Sequence, residues 1–300
     1  MKKFGLLFIN LLFVIVTFLI ADYSVFSAYK EKYGFDATYL QNMTKKIAIS
    51  DEYDRASIQD FSYRPALNEK NNKEKSIVFT GCSFVYGVGL EENQTLPYKV
   101  AQLIDSPIYN LGFVSRAINT IYTAVKLGIF DERVKIPPKT VLYNYADFHL
   151  LRIVMPNVFF EGNEYFYNLK GETLVKKRPP FIVSRFPLLC VVREQLHNYL
   201  LQNNKNYRDY IKKLLKAYFV ETKKLLNSKY GDFKFIVMVY EYSPIFEEMA
   251  SDIEKEGFVI VRVLDDLGID TNNDEYVLPD GHPNEKAWDK IVPKLIPYLY

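Results

Sequence analysis

Alternating apolar and polar stretches predict a domain of strands and helices between Ser76 and Tyr300. Short apolar runs rich in β-branched residues are typical of buried strands, and five of them are centred on Ile77, Ile108, Val141, Phe235 and Val259. Between these runs, apolar residues recur every three or four positions, which predicts helices near residues 95–104, 115–127, 207–229 and 244–256. Such alternation implies right-handed βαβ crossovers and a parallel sheet.

The regular alternation stops between about residues 150 and 205, which we interpret as an insertion after the third strand. An aromatic stretch around Gly162 and Gly171 predicts a hairpin, and the apolar run from Pro187 to Leu201 predicts a helix. The insertion is either a lid or substrate wall with a surface that can face a membrane, or an extra packed layer without a part in chemistry. The sequence leaves both open.

The N-terminus carries lysines at positions 2 and 3, followed by an apolar segment from Phe4 to Ala21. A spanning helix needs about 20 apolar residues, and the apolar part of a signal peptide only about 7–15. The length favours an uncleaved anchor over residues 1–21, with the lysines in the cytoplasm. A cleaved signal peptide, giving a secreted protein, is the alternative. The polar residues 22–75 predict a stalk and linker, and residues 76–300 the folded domain.

Composition excludes some classes of function. The chain has 38 Lys and Arg against 36 Asp and Glu, and it contains no Lys/Arg-rich block, which disfavours nucleic-acid binding. The cysteines are Cys82 and Cys190. We expect two free thiols, because a disulfide at Cys82 would constrain the turn beside it. No cysteine or histidine spacing suggests a metal site, and no cofactor is predicted.

Two short segments carry candidate chemistry. The first strand stops at Gly81, and Ser83 follows at the carboxyl end of that strand, where parallel α/β sheets bind ligands. Near the C-terminus, Asp280 and His282 lie two apart in a Pro/Gly-rich loop. A nucleophilic serine needs a base, and the base needs an orienting carboxylate. Alternatively, Ser83 only caps the next segment, and the second loop only carries a helix-capping Asn284.

In their order and spacing, these segments resemble the SGNH/GDSL hydrolase family. Residues Gly81-Cys82-Ser83 through Gly87 match its first block, G-D-S-x-x-x-G, Gly112 matches the glycine of its second block, and Asp280 with His282 matches its last. The resemblance implies a three-layer α/β/α, flavodoxin-like fold with about five parallel strands. It further implies catalytic Ser83, His282 and Asp280, with the backbone N–H groups of Ser83 and Gly112 as oxyanion donors.

Three departures from the family pattern affect these expectations. Cys82 replaces the usual aspartate before the serine, and the last block is D-x-H rather than D-x-x-H, a spacing that resembles bacterial polysaccharide acetyltransferases of the same superfamily. Ala146 stands where the third block usually has an oxyanion asparagine. Asn144 is a candidate replacement. Two others, His149 and Arg152, have alternative interpretations as a packing histidine and as an ion pair with Asp147.

The resemblance predicts an esterase or O-acetyltransferase acting on an ester or acetylated carbohydrate of the cell envelope. The domain would lie outside the cytoplasmic membrane on a single-pass anchor, and an integral-membrane acyltransferase would be a possible partner that supplies the acyl group. One alternative is a non-catalytic carbohydrate-binding or assembly protein of the same fold, and another is a lipase or thioesterase. Ser83 within about 3 Å of His282 would favour an enzyme.

Overall fold

The computed structural model describes residues 2–33, 64, 67–68, 73–154, 166–177 and 186–300. The strands are β1 (Ser76–Gly81), β2 (Ile108–Gly112), β3 (Pro138–Tyr145), β4 (Phe166–Lys170), β5 (Thr173–Lys177), β6 (Lys234–Val239) and β7 (Phe258–Arg262). Five of them form one parallel sheet in the order β2-β1-β3-β6-β7. This is the flavodoxin-like order, so the predicted fold class and the five predicted strands are confirmed.

Helices cover both faces of the sheet. In chain order they are α1 (Lys2–Tyr33), α2 (Ser83–Tyr86), α3 (Leu96–Leu103), α4 (Ile118–Lys126), α5 (Ile129–Arg133), α6 (Phe148–Arg152), α7 (Pro187–Asn203), α8 (Lys205–Tyr230), α9 (Pro244–Lys255) and α10 (Glu285–Leu295). Successive strand residues point to opposite faces. Tyr143 therefore packs in a core with α4, α8 and α9, whereas Leu142 packs in a second core with α3 and α10.

One predicted helix start is wrong. The sequence suggests that Ser115 caps the helix that follows β2, but α4 begins at Ile118 with Ala117 at the capping position. Ser115 has a φ of 61°, in the left-handed region, whereas a helix-capping residue has extended backbone. The residues before α4 instead form a tight turn, in which the N–H of Arg116 donates to the Phe113 carbonyl at 3.1 Å.

The insertion contains the predicted hairpin and helix. Strands β4 and β5 pair antiparallel across a turn at Gly171, and the N–H of Tyr167 donates to the Tyr218 hydroxyl of α8 at 3.0 Å. The first part of the aromatic stretch from which the hairpin was predicted, which holds Phe159, Phe160 and Tyr165, lies outside the described residues. Helix α7 starts at Pro187 as predicted. Whether the insertion acts as a lid stays a prediction.

Helix α1 continues beyond Ala21 to Tyr33 and contacts the insertion. Its segment Asn10–Ala28 is long and apolar enough to cross a membrane and is mostly exposed. The side chain of Asp22 is fully buried, and its Oδ1 accepts the N–H of Leu188 at 2.7 Å. Leu188 lies in the first turn of α7, where N–H groups lack partners within the helix. Asp22 thus joins the apolar helix to the domain.

The segment predicted as stalk and linker touches the domain at a second place. Leu67 forms an antiparallel bridge with Ile108 of the edge strand β2, with both N–H to O distances at 2.8 Å. The Nδ2 of Asn68 donates to the Ala101 carbonyl at 3.0 Å. Part of the chain before Ser76 therefore packs against the sheet, while most of residues 34–75 lies outside the described ranges.

Candidate active site

Ser83 lies at the carboxyl end of β1, a central strand of the sheet. Gly81 ends the strand with a φ of 148°, and Ser83 is the first residue of the short helix α2. Gly87 ends that helix in the left-handed region, and its N–H donates to the Ser83 carbonyl at 2.9 Å. The two glycines predicted from the motif thus bound the turn that presents the serine, because each adopts a backbone conformation that disfavours a side chain.

His282 and Asp280 meet Ser83 from the other end of the chain. The Nε2 of His282 is 2.9 Å from the Ser83 Oγ, and its Nδ1 is 3.0 Å from the Asp280 Oδ2. The second contact is close but poorly aligned, because Nδ1 has no hydrogen-bond partner among the described residues. The backbone N–H of His282 also donates to the Asp280 Oδ1 at 3.1 Å.

Hydrogen bonds within the loop hold His282 in place. The N–H of Leu278 donates to the His282 carbonyl at 2.7 Å. Asn284 caps α10 by accepting the N–H of Ala287 at 3.2 Å, and its Nδ2 donates to the Glu275 carbonyl at 2.8 Å. The predicted cap at Asn284 is therefore confirmed. It does not compete with a catalytic interpretation, since the same loop places the imidazole beside Ser83.

Aromatic rings support the imidazole, and sequence reasoning missed them. The Phe84 ring lies 5.6 Å from the His282 ring, edge to face, and also contacts the rings of Phe148 at 5.4 Å and Tyr240 at 5.2 Å. Phe84 follows Ser83 directly, and Tyr240 follows the end of β6. Their positions at strand ends are the signal that could have identified them.

Gly112 lies against the serine helix, and its amide already has a partner. The Gly112 N–H donates to the Asn110 Oδ1 at 3.0 Å, and the Asn110 Nδ2 donates to the Val85 carbonyl at 3.1 Å. A Cβ on Gly112 would stand 2.1 Å from the backbone nitrogen of Tyr86. Gly112 is thus required for close packing of β2 on α2. To serve as an oxyanion donor, its N–H would have to leave Asn110.

Asn144 lies behind the serine turn rather than at an open surface. Its side chain is fully buried, and a Cβ on Gly81 would stand 3.3 Å from the Asn144 Cβ. Within the described part of the chain, neither polar side-chain atom of Asn144 has a hydrogen-bond partner. Ala146 is also fully buried. A direct contact from Asn144 to a substrate would therefore require the turn to move.

His149 is buried among tyrosines beneath the same strand end. Its Nδ1 accepts the N–H of Ala146 at 3.4 Å and lies 2.9 Å from the Tyr143 hydroxyl, which therefore donates. Burial lowers the pKa of His149 well below its usual value, assisted by the nearby charge of Arg152. These contacts support the packing interpretation of His149.

Arg152 and Asp147 have contacts of different kinds near the site. The Arg152 guanidinium lies 4.1 Å from the centre of the Phe148 ring, and its Nη1 donates to the Arg116 carbonyl at 3.4 Å. Asp147 accepts the Tyr145 hydroxyl at 3.1 Å and also the Ser243 hydroxyl. The stacked position of Arg152 brings one positive charge to the edge of the sheet that carries Ser83.

Cys82, next to Ser83, is a second residue whose side chain could act as a nucleophile, but its surroundings disfavour that role. Its side chain is fully buried, and that burial raises the pKa of the thiol, against the opposing effect of the Arg152 charge. A protonated thiol is a poor nucleophile. Cys82 and Cys190 are free thiols, as predicted, and both are buried. The described ranges contain no group of three or more His, Cys, Asp or Glu side chains placed to hold a metal ion.

Comparison with known proteins gives remote structural likenesses only. No family model matches this sequence, and no curated protein matches it. A lipolytic protein of the G-D-S-L family from Veillonella parvula is 11% identical, with 74% of this chain and 97% of that chain covered and a TM-score of 0.44. A lipase from a goat rumen metagenome is 11% identical, with 74% and 96% covered and a TM-score of 0.43.

An acetyl xylan esterase from Butyrivibrio proteoclasticus is 12% identical, with 75% of this chain and 63% of that chain covered and a TM-score of 0.44. At these identities and TM-scores the similarity concerns the fold alone, so a function for this chain has to be argued from the residues of the site itself. The solved SGNH/GDSL proteins are thus similar to this chain in fold alone.

Proposed function

We propose that this chain is a serine-dependent enzyme of ester chemistry, with Ser83 as nucleophile, His282 as base and Asp280 as the orienting carboxylate. The observation that carries the proposal is the 2.9 Å distance between the Ser83 Oγ and the His282 Nε2. This lies within the hydrogen-bond reach that an activated nucleophile needs. The two residues are 199 positions apart in the chain.

The proposed reaction follows from this geometry. The Ser83 Oγ attacks the ester carbonyl while His282 Nε2 takes the hydroxyl proton, and the imidazolium then gives that proton to the leaving alcohol. Water or an acceptor hydroxyl attacks the resulting acyl-enzyme, with His282 again as base. Asp280 stabilises the positive imidazolium through the contact at Nδ1.

The oxyanion site is the weakest part of this arrangement. The Ser83 N–H is the first of α2, and such N–H groups have no partner inside a helix, so it can donate to the oxyanion. The Gly112 N–H would add a second donor only after leaving Asn110, and Asn144 would add a third only if the buried turn opened. Loss of one donor typically costs about 10²–10³ in rate. We therefore expect slow turnover of simple esters.

Esterase and O-acetyltransferase activities use the same residues. We propose an acetylated envelope carbohydrate as the substrate, because the D-x-H spacing resembles that of polysaccharide acetyltransferases. In the transferase form, an integral-membrane acyltransferase partner would supply the acyl group. Acetyl, butyryl and palmitoyl esters and an acetyl thioester, compared side by side, separate this proposal from a lipase or thioesterase.

We also propose that α1 anchors the protein in the cytoplasmic membrane, with the domain on the outer side. The exposed apolar residues of its first half support a lipid-facing helix, among them Leu11, Phe13 and Ile15. Cleavage after Ala28 would remove Asp22 and Phe26, whose side chains are buried against the rest of the protein. The lysines at positions 2 and 3 favour a cytoplasmic N-terminus.

The test uses the full chain in lipid nanodiscs with p-nitrophenyl acetate and a fluorophosphonate probe, which reacts covalently with activated serines. Ser83→Ala should abolish labelling, and Ser83→Ala and His282→Ala should each lower acetate release by at least about 10³-fold. Circular dichroism of each variant establishes that it is folded. Unchanged acetate release by folded Ser83→Ala would reject the proposal.

A non-catalytic carbohydrate-binding or assembly protein is the second candidate. One observation favours it: the Gly112 N–H donates to Asn110 and is therefore not available to bind an oxyanion. Its expected result is a folded wild-type protein that neither turns over esters nor reacts with the probe, but that binds acetylated polysaccharide.

A further inference from the structure

Arg64 contacts the turn that follows the serine helix. Its Nη2 donates to the carbonyl of Gly87 at 3.1 Å and to the carbonyl of Leu90 at 2.8 Å. Its guanidinium also lies 4.9 Å from the centre of the Tyr86 ring. One side chain thus holds three residues of the segment 86–90.

The position of Arg64 is fixed by its own chain neighbours. Leu67, three residues later, is paired with Ile108 on the edge of the sheet through two hydrogen bonds. Asn68 is bonded to the Ala101 carbonyl. The chain is therefore attached to the sheet within four residues of Arg64.

The turn held by Arg64 contacts both the helix of Ser83 and the loop of His282. Gly87 is bonded to the Ser83 carbonyl at the end of α2. Gly89 lies against the loop of His282, because a Cβ on Gly89 would stand 2.7 Å from the Leu278 Cδ1. Leu278 in turn donates its N–H to the His282 carbonyl. Movement of this turn would displace the serine and the imidazole relative to each other.

Arginine is the residue type suited to this contact. Hydrogen bonds from a charged donor are stronger than those between neutral groups, and Arg64 makes two of them, to the carbonyls of Gly87 and Leu90. A planar guanidinium can donate to two carbonyls while it stacks on an aromatic ring. A lysine ammonium keeps the charge but has no planar face to stack on Tyr86.

We propose that Arg64 is a positioning residue, which holds the Gly87–Leu90 turn and thereby sets the distance between Ser83 and His282. It acts through the turn and contacts no reacting atom. The catalytic part of this inference rests on the proposed function. The effect of Arg64 on the Gly87–Leu90 turn and on the loop of His282 can be measured without any substrate.

The experiment compares Arg64→Ala and Arg64→Lys with wild type and with Arg208→Ala, all as full chains in nanodiscs. Arg208 lies half-buried on α8, where it also donates to a backbone carbonyl, that of Gln202 at 3.2 Å, and pairs with Glu248 at 3.1 Å. We expect Arg64→Ala to lower the rate of fluorophosphonate labelling of Ser83, and kcat, by about 10–100-fold, because small misplacements of reacting groups are costly. KM should stay within about twofold of wild type because no substrate contact is lost. Arg64→Lys should recover part of the rate, and Arg208→Ala should match wild type.

Hydrogen–deuterium exchange gives a second readout that does not depend on activity. In both Arg64 variants, exchange should rise in residues 83–90 and in 276–284 and stay unchanged in β6. Wild-type exchange in both segments, or a wild-type labelling rate in Arg64→Ala, would overturn the proposal. A rate loss that disappears when the assay is run well below the unfolding midpoint would overturn it as well. If wild-type protein is not labelled at Ser83, the proposed function fails, and the exchange data alone decide the role of Arg64.

Discussion

Asp280 holds His282 at two points, since one carboxylate oxygen accepts the backbone N–H of His282 at 3.1 Å and the other lies 3.0 Å from its ring Nδ1. The spacing of two residues allows both contacts, because an aspartate readily bonds to the backbone two positions on. The Asp280 side chain is 55% exposed and the ring contact is not aligned as a hydrogen bond. Solvent therefore screens much of its effect on the imidazole.

The first prediction follows from this geometry. Asp280→Asn keeps an acceptor for the backbone N–H but loses the charge, and we expect kcat to fall about 10–100-fold, less than for loss of Ser83 or His282. Asp280→Ala should lose more, since it also frees the backbone of the loop. The measurement is p-nitrophenyl acetate turnover by the full chain. A loss in Asp280→Asn as large as in His282→Ala would show that the carboxylate is required as a fully aligned partner.

Gly112 provides a stability test. The Cβ of Gly112→Ala would meet the backbone of α2 at 2.1 Å, and a backbone atom cannot rotate away. We expect a loss of about 3 kcal/mol or more in the free energy of unfolding, at the upper end of overpacking effects. Gly171→Ala is the control, because that glycine has open space around it and only its φ of 63° opposes a side chain, for which we expect about 1 kcal/mol. Urea unfolding measures both, and equal losses would contradict the close approach of β2 and α2.

Substitutions at Asn284 can distinguish its role in capping α10 from its role in positioning the loop of His282. Asn284→Ala removes the cap of α10 and should lower the free energy of unfolding by about 1–2 kcal/mol. Asn284→Asp keeps the capping acceptor but loses the Nδ2 that donates to the carbonyls of Glu275 and Val277. We expect Asp to restore most of the stability but only part of kcat, as measured by urea unfolding and ester turnover. Full recovery of kcat by Asp would mean that the cap alone positions His282.

A pH-dependent loss of stability is expected from His197. Burial lowers the pKa of His197 from 6.5 to about 4, and its Nδ1 lies 2.7 Å from the Tyr207 hydroxyl. Between these pH values the unfolded chain binds a proton that the folded chain does not, so the free energy of unfolding falls as pH decreases from 6.5 to about 4. The slope contributed by one such group is at most about 1.4 kcal/mol per pH unit.

His149, whose pKa burial also lowers, adds a loss in the same direction. The measurement is urea unfolding at several pH values for wild type and His197→Gln, which keeps a polar partner for Tyr207. The variant should show a shallower slope over this range. Identical slopes would mean that His197 does not titrate on unfolding.

The sheet was predictable because its strands are short, buried apolar runs, and a parallel sheet buries both faces of each strand. Ser83, Asp280 and His282 were also recognisable as candidates, because few residue types suit these roles and the chain has only three histidines. Their proximity in the structure depends on the carboxyl ends of β1 and β7 meeting at one edge of the sheet.

Other features had no local pattern to reveal them. The bond between Gly112 and Asn110 and the contacts of Arg64 with the serine turn depend on tertiary packing, not on periodicity. Ser115 has the side chain of a good helix cap, but its backbone conformation is incompatible with one. Helix-capping propensity therefore predicted the wrong residue, because the turn before α4 determines the backbone conformation of Ser115.

The buried carboxylate of Asp22 has a consequence for how far the proposed enzyme can reach. A charged group in an apolar helix is costly unless it has a partner, and here the partner is the first turn of α7. With α1 in a bilayer, the α/β domain would be in direct contact with its membrane anchor instead of being joined to it only by a flexible linker. The distance between the membrane and the proposed active site could then not exceed the size of the domain. A polymer substrate would therefore have to come close to the membrane surface to be modified.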